Sequence, residues 1–155
     1  MVTSPIGPLT LVREDGALVR LAMSPPRALD PDALGARSDE GFADAVRQLG
    51  EYFAGERTAF ELPLRPAGSS FELAVWDQLT RIPYGETRSY GYVAKAVGEP
   101  GGAQAVGAAN GRNPLAIVVP CHRVIGADGS LVGFGGGLPR KRFLLDLEQR
   151  ADRLF

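Results

Sequence analysis

The feature that most constrains this chain is a break in its hydrophobic rhythm at Arg65-Pro-Ala-Gly-Ser69. Proline and glycine punctuate a chain rather than continue a helix or strand, so this segment reads as a linker. Before it, apolar residues alternate or cluster around turns; after it, they recur every three or four positions. A chain of 155 residues divided this way is expected to form two small units, 1–65 and 68–152.

In the first unit, Thr10–Arg13 and Ala17–Met23 flank Glu14-Asp15-Gly16, a hairpin signature. Residues 24–37 are rich in Pro, Asp, Ala and Gly and read as a loop. Phe42, Val46, Leu49 and Phe53 fall at helical spacing and predict an amphipathic helix over 39–54. Phe60, Leu62 and Leu64 alternate like a short strand.

In the second unit, Ser69 with Glu72 three residues on is a capping box. Phe71, Val75, Leu79 and Ile82 then mark one apolar helix face, stopped by Pro83-Tyr-Gly85. Ser89 caps a second helix running to Val97 and ended by Gly98. A third helix covers Ala103 to Asn110, and the short turn Gly98–Gly102 makes the pair resemble a helix-turn-helix. Ala103, Ala105, Gly107, Ala108 and Ala109 leave that third helix almost no side-chain bulk, so its backbone can approach a neighbour, either another helix or a nucleic-acid groove. The expected class is α/β: a small sheet-plus-helix domain, then a mostly helical, winged-helix-like domain carrying the chemistry.

Charge is unevenly spread. Residues 1–67 hold seven basic and ten acidic side chains; residues 81–142 hold eight basic and three acidic. An acidic front and a locally basic back suit a polyanion partner for the second unit, although ordinary scatter of surface charge gives the same counts. No apolar run approaches the roughly 20 residues of a membrane span, and Met1–Thr10 lacks the pattern of a signal peptide, so a cytoplasmic location is the default expectation. One Cys and one His cannot form a disulfide or a four-ligand zinc site within the chain.

That Cys and that His are adjacent, in Ile117-Val-Val-Pro-Cys-His-Arg-Val-Ile125. The β-branched run reads as a strand or extended segment ending at Pro120. A thiol reacts as its thiolate, and an adjacent imidazole with Arg123 nearby can stabilise that anion. Neighbouring side chains on a regular element do not face each other, so the backbone must turn at Cys121 or a water must bridge. The plain alternative is a buried, inert cysteine.

Pro120-Cys-His-Arg-Val124 resembles the active-site signature of the O6-alkylguanine-DNA alkyltransferases, also called methylated-DNA–protein-cysteine methyltransferases. Ile82-Pro-Tyr-Gly85, Ala105-Val-Gly107, Gly111-Arg-Asn-Pro114, Gly136-Gly-Leu138 with Lys141, and the opening Ser4-Pro-Ile-Gly-Pro-Leu-Thr10 are similar to the family in order and spacing. The resemblance implies single-turnover transfer of an alkyl group from O6-alkylguanine in double-stranded DNA, with O4-alkylthymine a further candidate substrate. It implies Cys121 as acceptor, His122 as base through a water, Glu148 orienting the imidazole, Asn113 as hinge and Tyr90 meeting the leaving base. It implies DNA contacts from Ala103, Gln104, Ala105, Gly107, Asn110, Arg112 and Arg123. It implies a pocket formed by Tyr90, Val124, Phe134, Gly135 and Gly136. No cofactor, no metal and a monomer are expected.

Two positions depart from the family pattern: Gln104 stands where many relatives carry an intercalating Arg, and Phe134 where they usually carry Tyr. Two other readings are open. A non-catalytic damage sensor of the alkyltransferase-like type replaces the nucleophile, which Cys121 argues against. A Cys–His hydrolase generally needs a His brought in from elsewhere in the chain, and this chain has a single His.

Overall fold

The computed structural model describes residues 3–23, 41–126, 128–129 and 137–153. Strands β1 (Thr10–Glu14) and β2 (Ala17–Ala22) pair antiparallel. They turn through Asp15 and Gly16, both at positive φ (48° and 82°), the backbone that a two-residue hairpin of matching twist requires. The register slips between Val12 and Arg13, because Val12 faces Arg20 and Arg13 faces Leu18. The extra residue, Val19, lets Leu18 and Leu21 both turn inward, although strand residues three apart would otherwise face opposite sides.

The outer edge of β2 receives backbone from both sides of the linker. Leu18 donates to the Pro63 carbonyl at 2.9 Å and accepts from Arg65 N at 3.0 Å. Leu21 donates to the Pro114 carbonyl at 2.8 Å and accepts from Ala116 N at 3.2 Å. The edge is therefore covered rather than left as a template for another strand. The segment expected to be a strand, Phe60–Leu64, is not one: only Leu64 bridges to β2, because Pro63 lacks the N–H that a ladder needs.

Helix α1 (Ala43–Phe53) starts later than expected, with Phe42 as its N-cap. Its buried stripe is Ala45, Gln48, Leu49 and Tyr52, rotated from the expected face, and Val46 is exposed. Gln48 explains the rotation. It exchanges two hydrogen bonds with the backbone of Glu61, at 3.1 and 2.8 Å, so a polar residue faces inward. The loop expected at 24–37 lies outside the described residues.

Helix α2 (Ser70–Thr80) opens with the complete capping box of Ser69 and Glu72. Trp76, on its inner side, donates to the Ala109 carbonyl at 2.9 Å. Strand β3 (Arg88–Ser89) leads directly into α3 (Tyr90–Ala96), capped by the Ser89 side chain. Gly98, at φ +83°, ends that turn, and α4 (Ala103–Gly111) follows. A single 3-10 turn, Cys121–Arg123, passes into β4 (Val124–Ile125), which pairs parallel with β3. Helix α5 (Leu138–Arg153) closes the fold. On it Leu144 and Leu145 are buried, while Phe143 is exposed.

One apolar cluster joins the two parts: Leu9, Leu18, Leu21, Leu49 and Tyr52 meet Val75, Leu79, Val93, Val106, Leu115 and Leu144. The described chain is thus a small sheet with a helix, docked on a helical C-terminal part through a shared core.

Candidate active site

The approach to Cys121 is a buried run of turns, Leu115–Pro120, and not the strand expected from its β-branched residues. Ile117 has φ +73°, and Val118 N bonds back to the Ala116 carbonyl at 2.8 Å, a tight γ-turn seldom accepted by a β-branched residue. Cys121 N bonds back to Val119 O at 2.8 Å across Pro120, a second three-residue turn. The positive φ at Ile117 costs about 1–3 kcal/mol and persists only where its surroundings hold it. Asn113 supplies that hold: its Nδ2 donates to Val119 O at 2.9 Å, and its Oδ1 accepts from Leu115 N at 3.0 Å. Asn110 Nδ2 donates to the Cys121 carbonyl at 3.3 Å.

The 3-10 turn then brings His122 and Arg123 onto one carboxylate, that of Glu148, beside Cys121. Cys121 is buried. Burial pushes its thiol pKa up, against the opposing pull of Asn113 and the Lys141 charge, so the resting group is a thiol that needs a base. His122 is fully buried, and burial lowers its pKa, so its imidazole is neutral at rest. Its Nε2 lies 2.6 Å from Glu148 Oε2. Burial alone would raise the Glu148 pKa, but its hydrogen bonds and charge contacts with His122 and Arg123 outweigh that and hold it at about 2. An ionised carboxylate only accepts, so Nε2 carries the proton and Nδ1 presents a lone pair. Nδ1 is buried with no hydrogen-bond partner among the described residues.

Glu148 accepts from Arg123 as well, Nε to Oε1 at 2.8 Å and NH2 to Oε2 at 3.1 Å, while Arg123 NH1 reaches the Ile82 carbonyl at 2.7 Å. Tyr52 Oη donates to Glu148 Oε2 at 2.6 Å. Lys141, fully buried on α5, donates to the Val124 carbonyl at 2.6 Å and sits 5.9 Å from the Tyr90 ring centroid. Burial lowers its pKa, partly offset by Cys121. Tyr90 is half-buried, and burial with the nearby Cys121 raises its pKa.

Cys121, His122, Glu148 and Asn113 therefore converge, with Tyr90 and Val124 close by. Ala103, Gln104, Ala105 and Arg112 are exposed on α4 and its C-cap. A Cβ on Gly107 would lie 3.8 Å from the Tyr90 ring, an ordinary van der Waals distance, so this position packs beside Tyr90. Two residues expected to face DNA lie inside instead. Asn110 is buried against the Cys121 carbonyl, and Arg123 is buried against Glu148 and Ile82, where its charge has a carboxylate partner. Glu148, readable as a surface residue from its position on α5, is 1% exposed. Phe134, Gly135 and Gly136 lie outside the described residues. Sequence reasoning missed Tyr52, whose signal was its i, i+3, i+4, i+7 relation to Ala45, Gln48 and Leu49.

Comparison with known proteins matches this arrangement. Residues 1–66 match the model of the 6-O-methylguanine DNA methyltransferase ribonuclease-like domain, and residues 70–150 that of the family's DNA-binding domain. The chain is 56% identical to a methylated-DNA–protein-cysteine methyltransferase of Mycolicibacterium paratuberculosis, over 96% of this chain and 90% of that protein. It is 44% identical to the constitutive enzyme of Bacillus subtilis, over 94% and 92%. The crystal structure of the Mycobacterium tuberculosis O6-methylguanine methyltransferase superposes with a TM-score of 0.88 at 53% identity, covering 96% of this chain and 90% of that one. A structure of Mycobacterium tuberculosis OGT in complex with DNA superposes at 0.83, with 50% identity and coverage of 96% and 91%. A buried thiol beside a carboxylate-paired imidazole, set behind a helix-turn-helix, defines a protein that accepts a group onto cysteine. The chain belongs to the 6-O-methylguanine DNA methyltransferase family.

Proposed function

We propose that this protein repairs DNA by moving the alkyl group of O6-alkylguanine onto Cys121, irreversibly and once per molecule. The observation that carries the reading is the buried Cys121 beside a neutral His122, whose Nε2 is committed to Glu148 and whose Nδ1 is unpartnered. The thiol proton passes to Nδ1 through a water. The sulfur then attacks the alkyl carbon, the carbon–oxygen bond breaks, and the guanine takes up a proton from the Tyr90 hydroxyl, which the proton held by His122 restores through water. Atoms and electrons balance with no cofactor. The thioether has no route back to a thiol.

The electrophilic carbon lies inside a duplex, so the nucleotide must be extruded. The exposed small-residue face of α4 suits approach to the minor groove, with Gln104 filling the vacated stack and Arg112, ion-paired through Nε with Glu72 at 2.6 Å, turning the rest of its exposed guanidinium to phosphate. Residues 1–65 and 68–152 act as two units, and the work is cytoplasmic. Among the described residues, no helix is long and apolar enough to cross a membrane.

Incubation with duplex DNA carrying O6-methylguanine, followed by peptide mass mapping, tests this. Cys121 should gain the mass of one methylene in a single stoichiometric event, and Cys121→Ala should abolish transfer while retaining lesion binding. Lesion binding by the unmodified protein without any adduct would instead make it a damage sensor.

A further inference from the structure

Glu148 is tied to the N-terminal part of the molecule as well as to the active-site turn. Its Oε2 accepts two short hydrogen bonds of 2.6 Å, one from His122 Nε2 and one from the Tyr52 hydroxyl, and a longer one of 3.1 Å from Arg123 NH2. One carboxylate oxygen has room for about two close donors, so Tyr52 and His122 share the same acceptor. We propose that Tyr52, on α1, is a positioning residue of the reaction: it fixes the Glu148 carboxylate and, by competing for the same oxygen, limits the basicity of His122. The proposal rests on the alkyl-transfer reading above, in which His122 takes the thiol proton.

Tyr52 is built for this task. It is 1% exposed, and its ring is held by Phe53, Phe60 and Tyr84 at centroid distances of 5.3, 5.5 and 6.3 Å, so the hydroxyl has a set direction. Burial first, then the adjacent Glu148, raises its pKa well above the ordinary tyrosine value, so the group stays a donor at every working pH. The other ionisable groups around the cluster are Arg123 and Cys121 from the turn, Lys141 from α5 and Tyr84 from the segment after α2. Arg123 also reaches Oε2, but at 3.1 Å, so the Tyr52 hydroxyl at 2.6 Å is the closer competitor of His122 there. The N-terminal part thus reaches the buried carboxylate through the Tyr52 phenol.

Removing the hydroxyl leaves more of the Glu148 charge for the imidazole, so protonated His122 becomes easier to form. A hydrogen bond to a charged group is worth enough to shift such an equilibrium by about tenfold, or about one pH unit. The test is Tyr52→Phe in the full chain, which keeps the ring and deletes only the donor. Its reaction with the free base O6-benzylguanine is followed from about pH 5 to about pH 9. His122 is the chain's single histidine, so its imidazole NMR signals need no disentangling. The acid limb of the rate profile and the His122 titration should both move upward by about one unit, with the rate falling most on the acid side. Unmoved profiles would overturn the proposal, even if the melting temperature dropped, because a packing role alone predicts that result. If the wild type took no methyl group from O6-methylguanine in duplex DNA, the alkyl-transfer reading would fail, yet the His122 titration would still decide the role of Tyr52. Should the variant not fold, the wild-type Tyr52 hydroxyl proton is the readout. Slow exchange and a nuclear Overhauser contact to the His122 Nε2 proton support the proposal, and fast exchange without that contact overturns it.

Discussion

The two parts of this chain use buried polar groups differently. In the N-terminal part, Gln48 serves backbone, tying α1 to Glu61. In the C-terminal part Asn110, Asn113 and Lys141 also serve backbone, but His122, Arg123 and Glu148 bond one another, and Tyr52 of α1 joins them in the shared core. The difference teaches where the chemistry is vulnerable. A defect at the Asp15-Gly16 turn should cost stability alone, whereas a defect in the buried set should cost stability and reactivity together. Tyr52 and the Leu21 edge of β2 link the two.

The largest effect should come from Glu148→Ala, which strands the buried Arg123 and removes the partner of His122. A loss of about 3–5 kcal/mol is expected in denaturant unfolding, together with near-complete loss of alkyl transfer. The same group sets the acid limit. Its folded pKa of about 2 lies below the ordinary 4.5, so its stabilisation is present above pH 4.5 and drains away as pH falls toward 2. His122, depressed by burial, adds a second loss beginning as pH falls below 6.5, because the unfolded chain then binds the extra proton. Stability measured against pH should therefore fall in two stages in the wild type, and the lower stage should be absent in a Glu148→Gln variant.

Asn113→Ala comes next. It deletes the bonds to Val119 O and Leu115 N that hold the turns at Ile117 and Pro120. We expect about 1–3 kcal/mol of destabilisation and a parallel fall in transfer rate. A fully stable but inactive variant would break the link between scaffold and chemistry drawn here.

Gly16→Ala probes the other part. Gly16 sits at φ +82° with open space around it, so the cost is conformational, about 1 kcal/mol. The melting temperature should drop while the rate with O6-benzylguanine stays unchanged; a slower free-base reaction would show that the hairpin matters to the site beyond support.

The smallest effect is expected from Gln104→Arg, on the exposed face of α4. One added phosphate contact should steepen the slope of log K against log salt by about 0.9 and tighten duplex binding modestly. The free-base reaction should hardly change, because no helix needs opening. An equal change in both assays would place Gln104 in the pocket rather than in the base stack.

Much of this was legible before any coordinates. The hairpin at Asp15-Gly16, the capping box at Ser69 and Glu72, and the helix from Ala103 depend on residues within a few positions of each other, where local propensity governs. The Cys121–His122 pair announced the chemistry because the chain has one of each. The failures share a cause in long-range context. Ile117–Val119 has strand propensity, but Asn113 and the edge of β2 bend it into turns. Phe60–Leu64 alternates properly, yet Pro63 and a single neighbour at Leu18 leave it a lone bridge. The family resemblance set Arg123 against DNA, but a buried carboxylate 25 residues away draws it into the interior.

By itself, then, the sequence determined the order of elements, the caps and turns that bound them, and the thiol–imidazole pair, since each is encoded by neighbours along the chain. The tertiary structure alone decided the state of that pair. Burial raises the Cys121 thiol and neutralises His122, and Glu148 and Tyr52, 26 residues and about 70 residues from His122 along the chain, decide which imidazole nitrogen is left to take the proton. Desolvation and charge pairing depend on which groups meet in space, and no local pattern of residues carries that information.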